Sequence, residues 1–173
     1  MKKYRPDMYQ KSIFTIDYNH LKEKGITLLL FDLDNTIAPA HMKIADLKVK
    51  ILFDKLKRKG FTIVIFSNSP KHRLTPFSKY LGVAMHPLSF KPMQGSFKKV
   101  LSLYETDKEK TAIIGDQLLT DIVGGNKAGI FTILVNPLTV KDMFLTKYNR
   151  YKEKKIFEKL YQENGFERGK YYE

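Results

Sequence analysis

No cysteine occurs among the 173 residues, which excludes a disulfide framework, a thiolate metal centre and a cysteine nucleophile. Long apolar runs are missing as well. The best candidate, starting at Ile26, is broken by Asp32 and Asp34, well short of the roughly 18 to 20 residues a membrane span needs. The N-terminal stretch Met1-Lys2-Lys3-Tyr4-Arg5-Pro6-Asp7 is charged and no apolar segment follows it, so no secretory signal is visible and a cytoplasmic chain is expected. Acidic residues are outnumbered, 18 against 31 Lys and Arg, for a net charge of +13. That excess suits an anionic partner: a phosphorylated substrate, an anionic phospholipid surface with peripheral membrane contact or, less readily, nucleic acid. Arginine, the usual residue of phosphate forks, supplies only 5 of those 31. Surface solubility therefore stands beside a binding field as a reading of the charge. His20, His41, His72 and His86 lack a metal-ligand spacing such as HExxH, and Gly124-Gly125-Asn126-Lys127 lacks that of a P-loop. No nucleic-acid module is recognisable.

What is present is a regular alternation of strands and helices, with no internal repeat or flexible linker, in a chain of the size of one domain and 43% hydrophobic. Ile26-Thr27-Leu28-Leu29-Leu30-Phe31 does not alternate and reads as a strand covered on both faces, as in parallel α/β sheets. It ends in Asp32-Leu33-Asp34-Asn35-Thr36. Residues 43–59 predict a helix with Ile44, Leu47, Ile51 and Leu56 near one face, closed by Gly60. Residues 61–66 predict a second buried strand ending in Ser67-Asn68-Ser69-Pro70, with a helix from about Pro70 to Tyr80. A short strand is expected over Gly82-Val83-Ala84. A helix through Phe97, Val100, Leu101 and Tyr104 follows Lys91-Pro92. Residues 111–116 predict a strand ending in Asp116, Asp121 to Ala128 a helix, and residues 131–135 a last strand. Three strands thus end in polar chemistry at one sheet edge, where ligands of such sheets bind: Asp32 with Asp34, Ser67 with Asn68, and Asp116. Beyond about residue 140 the composition turns basic and aromatic, reading as one or two helices. Met143, Phe144, Tyr148, Tyr151, Ile156, Leu160 and Tyr161 there suit packing on the sheet or contact with a partner.

The motifs Asp32-Leu33-Asp34-Asn35-Thr36, Ser67, Lys91-Pro92 and Gly115-Asp116-Gln117-Leu118-Leu119-Thr120-Asp121, in that order, resemble the four motifs of the haloacid dehalogenase superfamily. The resemblance covers about residues 26–136. Within the superfamily the chain resembles the small class III phosphatases, in particular the YqeG-type group related to phosphatidylglycerophosphate phosphatase. The resemblance implies a three-layer Rossmann-like α/β core around a central parallel sheet. Thirty residues separate Thr36 from Ser67 and 23 separate Ser67 from Lys91, room for the predicted elements but not for a cap domain of at least about 50 residues. A single uncapped domain over 1–173, with a basic helical extension from about 140, is expected, and an open site suits a bulky substrate such as a lipid headgroup.

The same resemblance implies the chemistry. Asp32 would be the nucleophile and form an aspartyl-phosphate. Mg²⁺ would screen the repulsion between carboxylate and phosphate, held by the Asp32 and Asp116 carboxylates and the Asp34 backbone carbonyl. Asp121 would be an outer or water-mediated ligand, or else an acid favoured at a helix start. Asp34 would protonate the leaving oxygen and then activate water. A carboxylate two positions after the nucleophile favours phosphatase over dehalogenase or ion pump, although a phosphomutase could use it too. Ser67, the Asn68 N–H and Lys91 would bind the transferring phosphoryl group. Thr36 would stabilise the turn or touch phosphate, and Lys71, His72 and Arg73 could meet a second anionic group or form a polar helix start. Phosphatidylglycerophosphate is the substrate the subgroup suggests; a soluble sugar or nucleotide phosphate, or a basic RNA-associated or ribosome-associated module with minor activity, are the alternatives.

Overall fold

The computed structural model describes residues 2–139, 153–162, 165–167 and 169–173. Six strands, β1 (Met8–Gln10), β2 (Leu28–Phe31), β3 (Thr62–Phe66), β4 (Ala84–His86), β5 (Thr111–Gly115) and β6 (Phe131–Val135), form one sheet in the order β1-β6-β5-β2-β3-β4, with every neighbouring pair parallel. The helices are α1 (Tyr18–Glu23), α2 (Leu47–Arg58), α3 (Lys71–Leu81), α4 (Gln94–Leu103), α5 (Val123–Ala128) and α6 (153–162). Strand residues alternate between two cores, as the pleat requires. Leu29, Phe31, Ile63 and Ile65 pack with Phe53, Leu74 and Phe77 of α2 and α3, whereas Leu28, Leu30, Val64 and Phe66 pack with Phe97 and Val100 of α4. This is the expected three-layer α/β core. The stretches 37–66 and 68–90 are taken up by α2, β3, α3 and β4 and their loops, and no cap domain occurs among the described residues.

Several elements differ from expectation. In α2 the buried residues are Val49, Phe53 and Leu56, while Ile44, Leu47 and Ile51 are exposed. The helix begins only at Leu47, where the Asp46 carboxylate accepts from the Lys48 N–H at 2.7 Å. Its orientation is set by Phe53, whose ring lies 4.8 Å from that of Phe31. Gly82 is not in a strand: at φ +64° it closes α3 in the left-handed region, and β4 starts two residues later. The expected helix from Asp121 is divided into a π-type turn, Leu118–Ile122, and α5. The sequence reading also missed β1 and α1. Strand β1 has three residues, and α1 has six, with only Tyr18 and Leu21 buried, too few for a periodic signal.

In the C-terminal part, Leu160 and Phe166 are buried against Tyr9, Leu118, Ile122 and Leu134, and Ile156 packs on that cluster, while Tyr161 is exposed. Met143, Phe144, Tyr148 and Tyr151 lie outside the described residues. Among those described, no helix is long and apolar enough to cross a membrane.

Candidate active site

The parallel sheet brings the ends of β2, β3 and β5 together, and the polar residues that follow them converge. The Asp32 N–H continues the ladder by donating to the Ile114 carbonyl at 2.9 Å, which sets the carboxylate at the strand's end. Lys91 reaches it from the β4–α4 loop. Its ammonium donates to Asp32 Oδ1 at 2.7 Å, to Asp121 Oδ1 at 2.6 Å and to the Phe66 carbonyl at 2.9 Å, using all three protons. Asp121 is almost wholly buried and its other oxygen accepts from the Gln117 N–H at 3.1 Å. It is thus no solvated helix-start acid. Its approach depends on Gly115, since a Cβ there would lie 2.2 Å from the Asp121 carboxyl. Asp116 is also buried, and its Oδ1 accepts from the Thr36 hydroxyl at 3.2 Å. Asp32, Asp116 and Asp121 each offer an oxygen within 4.8 Å of the others.

Asp34 stands apart from this cluster. Its Oδ2 accepts from the Ser69 hydroxyl at 2.7 Å, and its Oδ1 from Arg73 Nε at 3.1 Å and Nη2 at 2.7 Å. Arg73, considered for a second anion of the substrate, is instead paired with Asp34 and also donates to the Met42 carbonyl. Lys71 and His72 are exposed at the start of α3. Ser67 is buried, and its Oγ accepts from the Ser69 N–H at 3.2 Å. The Asn68 side chain secures the Lys91 segment: Nδ2 donates to the Lys91 carbonyl at 3.1 Å, and Oδ1 accepts from the Lys91 N–H at 2.7 Å and the Ser89 hydroxyl at 3.0 Å. Ser69, Ser89 and Gln117 were not singled out from the sequence. Only the Ser67-Asn68-Ser69 run hinted at one of them.

The electrostatics favour a bound cation. Asp32 and Asp121 share the Lys91 ammonium and Asp116 brings a third buried carboxylate within reach of both, a concentration of buried negative charge that is costly in a low-dielectric site. Burial pushes the Asp32 carboxyl up to about 7; Lys91 opposes the shift, while Asp121 and Asp34 add to it. Burial alone would push the Lys91 ammonium down, but Asp121 and Asp32 outweigh it and hold the group above its ordinary value. A divalent ion would take the place of the proton on Asp32, and an all-oxygen donor set of this kind fits a hard one.

A parallel α/β sheet ending in this ordered set of aspartates, serine and lysine defines a class, and the chain belongs to the haloacid dehalogenase superfamily, as a phosphatase that hydrolyses phosphate esters. Residues 90–142 match the HAD-hydrolase-like family. Over 157 residues, 91% of each chain, it is 37% identical to the probable phosphatase YqeG of Bacillus subtilis (strain 168). It is 26% identical over 143 residues to phosphatidylglycerophosphate phosphatase 1, chloroplastic/mitochondrial, of Arabidopsis thaliana, covering 78% of this chain and 41% of that one. In fold it is similar to 3-deoxy-D-manno-octulosonate 8-phosphate phosphatase from Moraxella catarrhalis, solved with magnesium ion, phosphate ion and KDO, at a TM-score of 0.56 and 18% identity over 69% of this chain and 74% of that one.

Proposed function

We propose that the chain is a Mg²⁺-dependent phosphomonoesterase that works through an aspartyl-phosphate on Asp32, with phosphatidylglycerophosphate as its substrate. The observation that carries this is the Lys91-bridged group of buried carboxylates at the ends of β2 and β5. Mg²⁺ bound by Asp32, Asp116 and Asp121 would screen the attacking carboxylate from the phosphate. In this reading Asp32 attacks; it follows β2, and Lys91 fixes one of its oxygens and lends positive charge. As an Asp32 oxygen bonds to phosphorus, the P–O bond to the alcohol breaks and Asp34 gives its proton to the leaving oxygen. Asp34 then takes a proton from water, whose oxygen attacks phosphorus and releases Asp32 and inorganic phosphate. Ser69 and Arg73 orient the Asp34 carboxylate that takes the proton from water. The Ser67 hydroxyl and the Asn68 N–H serve the phosphoryl oxygens. Thr36, through its bond to Asp116, keeps the metal-side carboxylate in place. The lipid substrate is supported by likeness to the plant phosphatase and by the lack of a cap domain among the described residues.

Phosphate release from phosphatidylglycerophosphate in mixed micelles, beside a panel of soluble phosphomonoesters, tests the substrate. Preference for the lipid, dependent on Mg²⁺ and lost in Asp32→Asn, is expected. Equal or faster turnover of the soluble esters would remove the lipid assignment.

A further inference from the structure

The loop between β4 and α4 delivers Lys91 to Asp32 and has a second face that the reaction does not use. Its residues alternate. Ser89 and Lys91 are buried, whereas Leu88, Phe90 and Met93 are 48%, 62% and 68% exposed. Leu88 and Phe90 both sit at φ +49°, a region that bulky residues adopt only where the surroundings impose it. Here Ser89 imposes it: its N–H donates to the Ser67 carbonyl at 3.0 Å and its hydroxyl to Asn68 Oδ1 at 3.0 Å. The catalytic anchors therefore hold large apolar side chains outward, exposed among the described residues.

A second segment beside the site also exposes apolar side chains. Arg73 binds both Asp34 and the Met42 carbonyl, so the segment entering α2 borders the site, and it exposes Met42 and Ile44. Exposed lysines stand among these residues: Lys43 beside Ile44, and Lys71 at the start of α3. Helix starts and strand ends share this side of a parallel sheet, so the apolar and cationic groups lie toward the same end of the sheet as the site. Protein-binding hot spots favour Trp, Tyr and Arg. Leu, Ile, Met and Phe interspersed with Lys instead suit the headgroup layer of an anionic bilayer, where lysine stems lie along apolar surface and their charges meet lipid phosphates. The net charge of +13 has the same sign preference.

We propose that these apolar and cationic groups, led by Leu88, Phe90 and Met93, dock the open mouth onto an anionic phospholipid bilayer, so that a headgroup phosphate reaches Asp32 while its lipid stays in the membrane. The inference rests on the lipid-phosphatase reading and adds the surface that serves it. The test is a triple variant, Leu88→Asn, Phe90→Asn and Met93→Gln. Asn accommodates a positive φ, so the backbone is retained. Co-sedimentation is measured with vesicles containing phosphatidylglycerol and with vesicles of phosphatidylcholine alone, together with the melting temperature and turnover of a soluble phosphomonoester. The full chain binds the anionic vesicles, Asp32→Asn binds them equally, and the triple variant binds about tenfold more weakly with its melting temperature and soluble turnover kept. Failure of the unaltered chain to bind anionic vesicles overturns the proposal, as does undiminished binding by the triple variant. A lowered melting temperature would also overturn it, because the three side chains would then be serving the fold. Vesicle binding without lipid turnover removes the substrate reading and leaves the surface standing; turnover in micelles without vesicle binding does the reverse.

Discussion

Asp32 and Asp121 share one buried ammonium, and Lys91 is therefore a structural as well as a chemical residue. Lys91→Met leaves the Asp32 and Asp121 carboxylates buried without their cation. Removing one partner of a buried ion pair costs about 3–5 kcal/mol, a loss that urea unfolding of metal-free protein should register and that added Mg²⁺ should partly restore. The pH dependence of Asp32 has a definite sign. Burial raises its folded value to about 7, above the roughly 3.9 of an unfolded aspartate. Its contribution to stability is complete below the unfolded value and is lost as pH rises through about 7. In metal-free protein the stability of the unaltered chain relative to Asp32→Asn should thus fall between pH 5 and pH 8, as followed by thermal unfolding in EDTA; a rise would contradict the assignment. Asp32, Asp34, Ser67 and Asp116 were legible as candidates because each follows an apolar strand, whereas Lys91 and Asp121 were singled out through the resemblance of their motifs. Arg73 on Asp34 was not legible as a pair, because their meeting depends on how α3 lies against the sheet.

At the scale of elements, close approach and helix orientation decide what can be changed. Gly115→Ala places a Cβ where the Asp121 carboxyl now lies; Asp121 has to move, and both Mg²⁺ affinity and turnover should fall by about tenfold or more. Calorimetric titration with Mg²⁺ checks the first and phosphate release the second. In α2, Phe53→Ala opens a cavity beside Phe31 and costs about 3–5 kcal/mol, whereas Ile51→Lys, on the exposed face, stays within about 0.5 kcal/mol of the original. Denaturant midpoints separate the two. The reverse order would restore the helix face inferred from the sequence. Ile44, Leu47 and Ile51 misled because helical periodicity is equally good for two stripes, and only contact with Phe31 selects the one through Val49, Phe53 and Leu56.

At the scale of the molecule, the chain's two ends close one edge of the sheet. Tyr9 of β1 forms an antiparallel bridge with Tyr172, and Phe166 lies on Tyr9 and Phe157. An uncovered strand edge is a template for association. Phe166→Ala should therefore raise light scattering at high protein concentration while leaving turnover per folded molecule unchanged. A lowered turnover with no scattering would show that the C-terminal part serves the site instead. The parallel core was legible from its unalternating strands, but this edge was not. Strand β1 is three residues long and becomes a strand only by pairing with β6 and the chain's other end, a relation no local pattern carries. Asp32 stands at the centre of that sheet, far from the edge, and the proposed chemistry passes through it. The most direct measurement is acid quenching of the enzyme during turnover with Mg²⁺, followed by mass spectrometry of the peptide bearing Asp32. A phosphate on Asp32, labile to hydroxylamine and absent in Asp32→Asn, is the predicted result. Steady turnover with no phosphorylated enzyme, or turnover that survives in Asp32→Asn, would contradict it.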